Sequence, residues 1–288
     1  MRVTIAQLEV SADHSANVVV VRQACAEAAL VSADLLVLPE YASGYDPRGV
    51  GIEHAESLAG PFVQLLREQS AETGVTIVAG MVTFPEGAAH GADPGPDRAA
   101  AAPRASNIVV VVRGGEVVGA YRKVHLYDAF GHRESDRLEP GDPAAPPLVV
   151  TVGDLAVGIM TCYDLRFPES ARRLVDAGAQ VLVVPAAWAA GPGKVDQWRV
   201  LARARAIENT CAVLAVGQAG KGVSGHSLLV GPDGSVAIEL ADAAAVTSAD
   251  IDAAGIAAER DRNPSLANRR YTVVPVPTAP TAPLTPTD

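Results

Sequence analysis

The chain has 288 residues, 49% of them hydrophobic and 19% charged, and a formal net charge of −10. That is the composition of a folded globular protein with room for a large core, and the excess of acid argues against nucleic acid or an anionic membrane as a partner. No apolar run approaches the roughly 20 residues of a membrane helix, and no CxxC, HExxH or histidine cluster suggests a metal.

Residues 2–8 alternate as a strand and lack the long apolar core of a signal peptide. Val18, Val21, Cys25, Ala28 and Ala29 then recur at helical spacing after the polar Ser11-Ala12-Asp13. Residues 34–40 form a short apolar strand that ends on the carboxylate of Glu40. A helix starts at Gly60-Pro61, buries Phe62, Leu65 and Leu66, and stops at Gly74. Residues 75–80 are the next strand, and this β-α-β-α-β order predicts an internal sheet with helices outside. Residues 85–105, rich in Gly, Ala, Pro and Asp, read as a mobile surface loop without chemistry. Residues 107–112 and 117–121, joined by Arg113-Gly114-Gly115-Glu116, predict a hairpin.

A polar loop over 122–147 leads to a second hairpin through Gly153-Asp154, which runs into the apolar strand beginning at Leu155. A helix is expected from Pro168 to about Ala177, and a buried strand over 180–185. The next helix, over 194–210, carries its apolar stripe on Val200, Leu201, Ala204 and Ile207. Strands at 211–217, 226–230, 235–239 and 244–251 follow. With no linker between the halves, one α/β domain is expected over residues 1–271. Five prolines after Tyr271 predict an extended or disordered tail over 272–288.

The chemistry gathers around one cysteine. Gly158-Ile159-Met160-Thr161-Cys162-Tyr163-Asp164-Leu165-Arg166-Phe167-Pro168-Glu169 passes from a buried strand to a helix opened by Pro168, and Cys162 sits at the junction. A side chain there stands at the edge of a sheet, and the backbone N–H groups that follow can face a developing negative charge. Most cysteines of this kind are small buried hydrophobes, but Tyr163, Asp164 and Arg166 alongside favour chemistry. Glu40 ends an apolar strand after Pro39, where desolvation would raise its pKa and suit it to accept a proton. Lys123, one of three lysines, follows a strand in Tyr121-Arg122-Lys123-Val124-His125-Leu126-Tyr127-Asp128. An ammonium beside the thiol would favour thiolate. The cysteines Cys25, Cys162 and Cys211 are odd in number and widely spaced, which fits a reducing cytoplasm rather than a disulfide framework.

These segments resemble the signatures of the carbon–nitrogen hydrolase (nitrilase) superfamily: Leu38-Pro39-Glu40-Tyr41, the segment around Lys123, and the nucleophile segment itself. The most similar branch contains amidases acting on omega-amides of 2-oxo acids and on deaminated glutathione. The resemblance implies a four-layer α-β-β-α sandwich, no cofactor, and a Glu–Lys–Cys triad of Glu40, Lys123 and Cys162. In it Cys162 attacks the amide carbonyl, Glu40 carries the proton, and Lys123 with the Tyr163 N–H binds the tetrahedral oxygen. A second carboxylate is implied after the lysine; Glu134, ahead of Pro140-Gly141, is preferred to Glu139.

Val184-Pro185-Ala186-Ala187-Trp188 resembles the strand end that lines the family's substrate pocket. Residues 203–209 resemble its next helix, with Arg and Glu pairing inside the fold or at a dimer interface, and Gly225-His226-Ser227 and residues 268–271 extend the likeness to Tyr271. Tyr163, Arg166 and Trp188 are expected to bind substrate, Arg166 either by gripping a carboxylate or, alternatively, as a brace against Asp164 or Glu169. Tyr163, where nitrilases carry tryptophan, and Leu165 before Arg166 favour a carboxylate-bearing amide. The expectation is a cytoplasmic, metal-free amidase with a small-molecule substrate, assembled as a homo-oligomer (a dimer or higher). An N-carbamoyl amino acid hydrolase and a non-catalytic binding protein on the same fold are the alternatives.

Overall fold

The structure is a computed structural model that describes residues 1–85 and 103–276. Most of the expected surface loop and the tail beyond residue 276 lie outside the described residues. The first half of the chain runs β1 (Arg2–Gln7), α1 (His14–Leu30), β2 (Leu35–Val37), α2 (Pro61–Thr73), β3 (Thr76–Thr83), β4 (Ser106–Arg113) and β5 (Glu116–Arg122). The second runs β6 (Val149–Val152), β7 (Leu155–Ile159), α3 (Pro168–Asp176), β8 (Val181–Ala186), α4 (Lys194–Asn209), β9 (Ala212–Gly217), β10 (Leu228–Val230) and β11 (Val236–Glu239). Strand β12 (Ala245–Asp250) then returns to the first sheet, and α5 (Ala253–Arg262) follows.

The two sheets repeat one design. Their orders are β12-β1-β2-β3-β4-β5 and β11-β10-β9-β8-β7-β6. Each has three parallel strands at its centre, β1-β2-β3 and β7-β8-β9, with antiparallel strands outside them. Alternation along the strands then sorts the side chains into layers. Val78, Val109 and Val111 meet Val157, Val181, Val183 and Leu214 between the sheets. Ile77, Ala79, Val110 and Val112 turn the other way, onto α1 and α2. Leu182, Val184, Val213 and Ala215 likewise pack on α3 and α4. The result is a four-layer α-β-β-α sandwich, and strands covered on both faces read as unbroken apolar runs. Among the described residues no helix is long and apolar enough to cross a membrane.

Local signals set the helix ends. Asp13 caps α1 by accepting from the Ser15 and Ala16 N–H groups. Pro61 opens α2, and Gly74 closes it at a φ of 74°. The stripe expected on α4 is corrected: its buried face carries Trp198, Ala202, Arg205, Ala206 and Asn209, while Val200 and Ile207 are 64% and 46% exposed. Small residues let the helix lie close to the sheet, and the polar ones on that face are satisfied. Arg205 Nε donates to the Leu165 carbonyl at 3.0 Å, and Asn209 Nδ2 to the Arg205 carbonyl at 2.9 Å. Helix α5 had no counterpart in the sequence reading, because Ile256 is its one buried residue and leaves no stripe to detect.

Candidate active site

Strand ends from both sheets converge on one place. After β2 the chain leaves the ladder at Pro39, which has no N–H to give, and turns sharply so that Tyr41 takes a φ of 57°. Gly80 on β3 admits that turn, since a Cβ there would fall 2.4 Å from the Glu40 Cα. Glu40 is 1% exposed, and three donors fix its carboxylate. Oε1 accepts from Lys123 Nζ at 2.9 Å and Asn107 Nδ2 at 2.7 Å, and Oε2 from the Ala187 N–H at 2.7 Å.

Lys123 follows β5 and is wholly buried. Its N–H donates to the Asn107 carbonyl, and its own carbonyl accepts from the Gly141 N–H at 2.8 Å. Gly141 is required there, because a Cβ would lie 2.5 Å from the Arg122 carbonyl oxygen. Besides Glu40, the ammonium reaches both oxygens of Glu134, at 3.1 and 2.9 Å. Burial works against the charge, but the carboxylates of Glu134 and Glu40 outweigh it and hold Lys123 well above the ordinary lysine range. Glu134 also accepts from the Tyr41 hydroxyl at 3.0 Å and the Tyr127 N–H at 2.7 Å. Glu139 does not join this group: it is 38% exposed and faces Arg104 at 3.9 Å.

Cys162 opens a short 3-10 turn, Cys162–Arg166, directly after β7. Its φ is 46°, a left-handed conformation that a side chain adopts only where the surroundings impose it. Asp164, fully buried, supplies much of that constraint. It accepts from the Thr161 N–H at 3.0 Å, the Tyr121 hydroxyl at 2.7 Å and His125 Nδ1 at 2.8 Å. Burial pushes the Cys162 thiol well above its ordinary range, the Glu40 carboxylate pushes it further, and Lys123 only partly offsets them. The thiolate expected from a neighbouring lysine is therefore not favoured at rest, because the charge of Lys123 is already matched by two carboxylates. Cys162 thus sits among groups that favour its thiol form, with the Glu40 carboxylate beside it.

Over Cys162 lies a small cavity lined by Tyr127, Glu134, Tyr163, Arg166, Trp188 and Lys194 among others. The Tyr163 ring stands edge-on to Tyr127, with centroids 5.0 Å apart. Trp188 Nε1 donates to the Lys194 carbonyl at 2.9 Å, which fixes the indole at the wall. Arg166 braces against neither Asp164 nor Glu169. Its Nη2 donates to Gln197 Oε1 at 2.6 Å, and its guanidinium lies 4.9 Å from the Trp188 ring centroid. Among the described residues no group of three or more His, Cys, Asp or Glu is arranged to hold a metal ion.

The sequence pattern of the carbon-nitrogen hydrolase family matches residues 2–261. The chain belongs to that family. It is 34% identical over 273 residues to the deaminated glutathione amidase of Escherichia coli O157:H7, covering 94% of this chain and 98% of that protein. A carbon-nitrogen hydrolase superfamily structure from Xanthomonas campestris with an arsenic adduct in its active site superposes with a TM-score of 0.81 at 25% identity, covering 96% of this chain and 99% of that one. An amidase mutant from Nesterenkonia sp. AN1, which carries the acetamide moiety of fluoroacetamide covalently on its active-site cysteine, superposes with a TM-score of 0.71 at 27% identity, over 93% of this chain and 95% of that one. Together these make the present hydrolase an amide-hydrolysing enzyme.

Four positions in this hydrolase's site were not assigned a place there from sequence. Asn107 had a usable signal, a polar side chain at the head of the run Ile108–Val112, and it is fully buried against Glu40. Tyr41 stood inside the signature around Glu40 without a stated role, and Asp164 was noted only as an ionisable neighbour of the cysteine. Lys194 carried no local signal, since only the return of the chain after β8 brings it to the cavity.

Proposed function

We propose that this hydrolase cleaves the C–N bond of a small, carboxylate-bearing amide, an omega-amide of a 2-oxo acid or deaminated glutathione, through a thioester on Cys162. The observation that carries the reading is the buried chain of Glu40, Lys123 and Glu134 beside a strained cysteine at the floor of a cavity. Cys162 Sγ bonds to the amide carbon while its proton passes to Glu40. The oxygen, now an anion, is met by the Lys123 ammonium and the N–H of Tyr163, which lies in the first turn of a helical segment, where amides lack partners. Collapse breaks the C–N bond as Glu40 returns the proton to nitrogen, and the amine leaves, as ammonia from a primary omega-amide or as cysteinylglycine from deaminated glutathione. Water then attacks the thioester, gives a proton to Glu40, and the C–S bond breaks with that proton returning to sulfur.

Glu134 holds Lys123 in place from the side opposite Glu40. Arg166 is the proposed anchor for the substrate carboxylate, because a guanidinium binds one through two parallel hydrogen bonds and keeps its charge. All three cysteines are free, so none of them requires an oxidising compartment, which supports a cytoplasmic setting. The likeness to the E. coli deaminated glutathione amidase supports the substrate class. The test is ammonia release from a panel of omega-amides and cysteinylglycine release from deaminated glutathione, beside N-carbamoyl amino acids. Turnover confined to the carbamoyl compounds would replace this reading with carbamoyl hydrolysis.

A further inference from the structure

Lys194 is a cation in an unfavourable place. It is the first residue of α4, where the helix's free N–H groups disfavour a cation. It is only 8% exposed, and among the described residues no carboxylate pairs with it. Its ammonium donates to the Tyr127 hydroxyl at 2.8 Å and lies 3.4 Å from the centroid of the Phe130 ring. Burial, and then the charge of Arg166, push its pKa below the ordinary lysine range. A near-buried cation held by one hydroxyl and an aromatic face is incompletely compensated.

Arg166 shares the condition. Its hydrogen-bonded partner is the neutral side chain of Gln197, and its Nε is buried with no partner among the described residues. Both cations line the cavity over Cys162, and the one acidic side chain in that lining is Glu134. The oxygens of Glu134 are already taken by Lys123, Tyr41 and the Tyr127 N–H. Among the described residues, the cavity thus presents two positive charges and no free negative one.

We propose that Lys194 is a substrate-binding residue that, together with Arg166, selects omega-amides of 2-oxo acids over those of the parent amino acids. The carboxylate fits the planar fork of Arg166, and the adjacent keto oxygen accepts from the single-point ammonium of Lys194. An amino acid amide would bring an ammonium to that same place, next to two cations and with no carboxylate to receive it. This selection rests on the amidase reading given above and adds the residue that reads the carbon next to the carboxylate.

The test compares kcat/KM of the full chain for four amides: the omega-amide of 2-oxoglutarate, the monoamide of glutarate, glutamine and neutral pentanamide. Lys194→Met keeps the aliphatic stem and removes the charge. It should lower kcat/KM for the 2-oxo amide about 10- to 100-fold, the range for losing one charged hydrogen bond. Pentanamide should stay within about threefold, and the ratio of 2-oxo amide to glutamine should narrow by about tenfold or more. Lys194→Gln makes the same comparison if the methionine variant does not fold, and Lys194→Arg should retain the rejection of glutamine. Equal losses on all four amides, or an unchanged ratio of 2-oxo amide to glutamine, would overturn the role of Lys194 alone. A wild-type enzyme with no preference for any acid amide over pentanamide would overturn the carboxylate-bearing substrate class proposed above, and this selection with it.

Discussion

The floor and the mouth of the site treat positive charge in opposite ways. At the floor, Lys123 is wholly buried between two carboxylates, each within 2.9 Å of its ammonium. At the mouth, Arg166 and Lys194 have, among the described residues, an amide, a hydroxyl and aromatic faces. A buried charge without an opposite partner is costly, so its retention implies a partner that arrives from outside. In the proposed mechanism the compensated charge serves chemistry that must be ready before substrate binds, and the uncompensated ones serve recognition. The floor draws on both sheets, whereas the two cations of the mouth come from the second alone. The loops after β2 and β5 of the first sheet bring Glu40 and Lys123, whereas the segments after β7 and β8 of the second bring Cys162, Arg166 and Lys194.

Changes at the floor should therefore have the largest effects and should not depend on the charge of the substrate. Cys162→Ala should abolish ammonia release from every amide while leaving circular dichroism and thermal melting near wild type; residual turnover above a trace would break the nucleophile assignment. Glu134→Gln should lower kcat by about 100-fold or more with little change in KM, because both oxygens of Glu134 are engaged by Lys123 and its neighbours. Glu139→Gln should stay within about twofold of wild type. The reverse pattern would move the second carboxylate to Glu139.

Much of the floor was legible in the sequence, because each of its members ends or follows a strong strand. Glu40 closes an apolar run at a proline, Lys123 follows a hairpin, and Cys162 stands between an apolar strand and a proline-opened helix. What sequence could not supply was the balance among them. A lysine beside a thiol suggests thiolate, yet here two carboxylates absorb its charge and burial pushes the thiol's pKa up. That difference has a direct readout. Alkylation of Cys162 by iodoacetamide should keep rising with pH through about pH 9 without a plateau, since the thiol lies above the ordinary ~8.5. A plateau near neutral pH would instead mark a thiolate at rest.

The mouth was less legible, because it depends on α4, whose buried face was misread. A stripe of alanines with one tryptophan and hydrogen-bonded Arg205 and Asn209 is weaker in hydropathy than the aliphatics on the outside, so the periodicity pointed to Val200 and Ile207. Substitutions along this helix give the smallest of the expected effects and sharpen where the wall lies. Val200→Lys should change stability by no more than about 0.5 kcal/mol, whereas Ala202→Leu should overpack the core and cost about 1–3 kcal/mol. Urea unfolding curves for the two variants would settle the face, and a loss at Val200 equal to that at Ala202 would contradict it.

The division between floor and mouth is tested most directly by one paired measurement: kcat/KM of Arg166→Ala on an omega-amide acid and on a neutral amide of the same length. The account predicts a loss on the order of 2–4 kcal/mol in transition-state stabilisation for the acid and almost none for the neutral amide, so that the preference between them collapses. Equal losses on both substrates, accompanied by a lower melting temperature, would make Arg166 a brace for the turn and contradict the account.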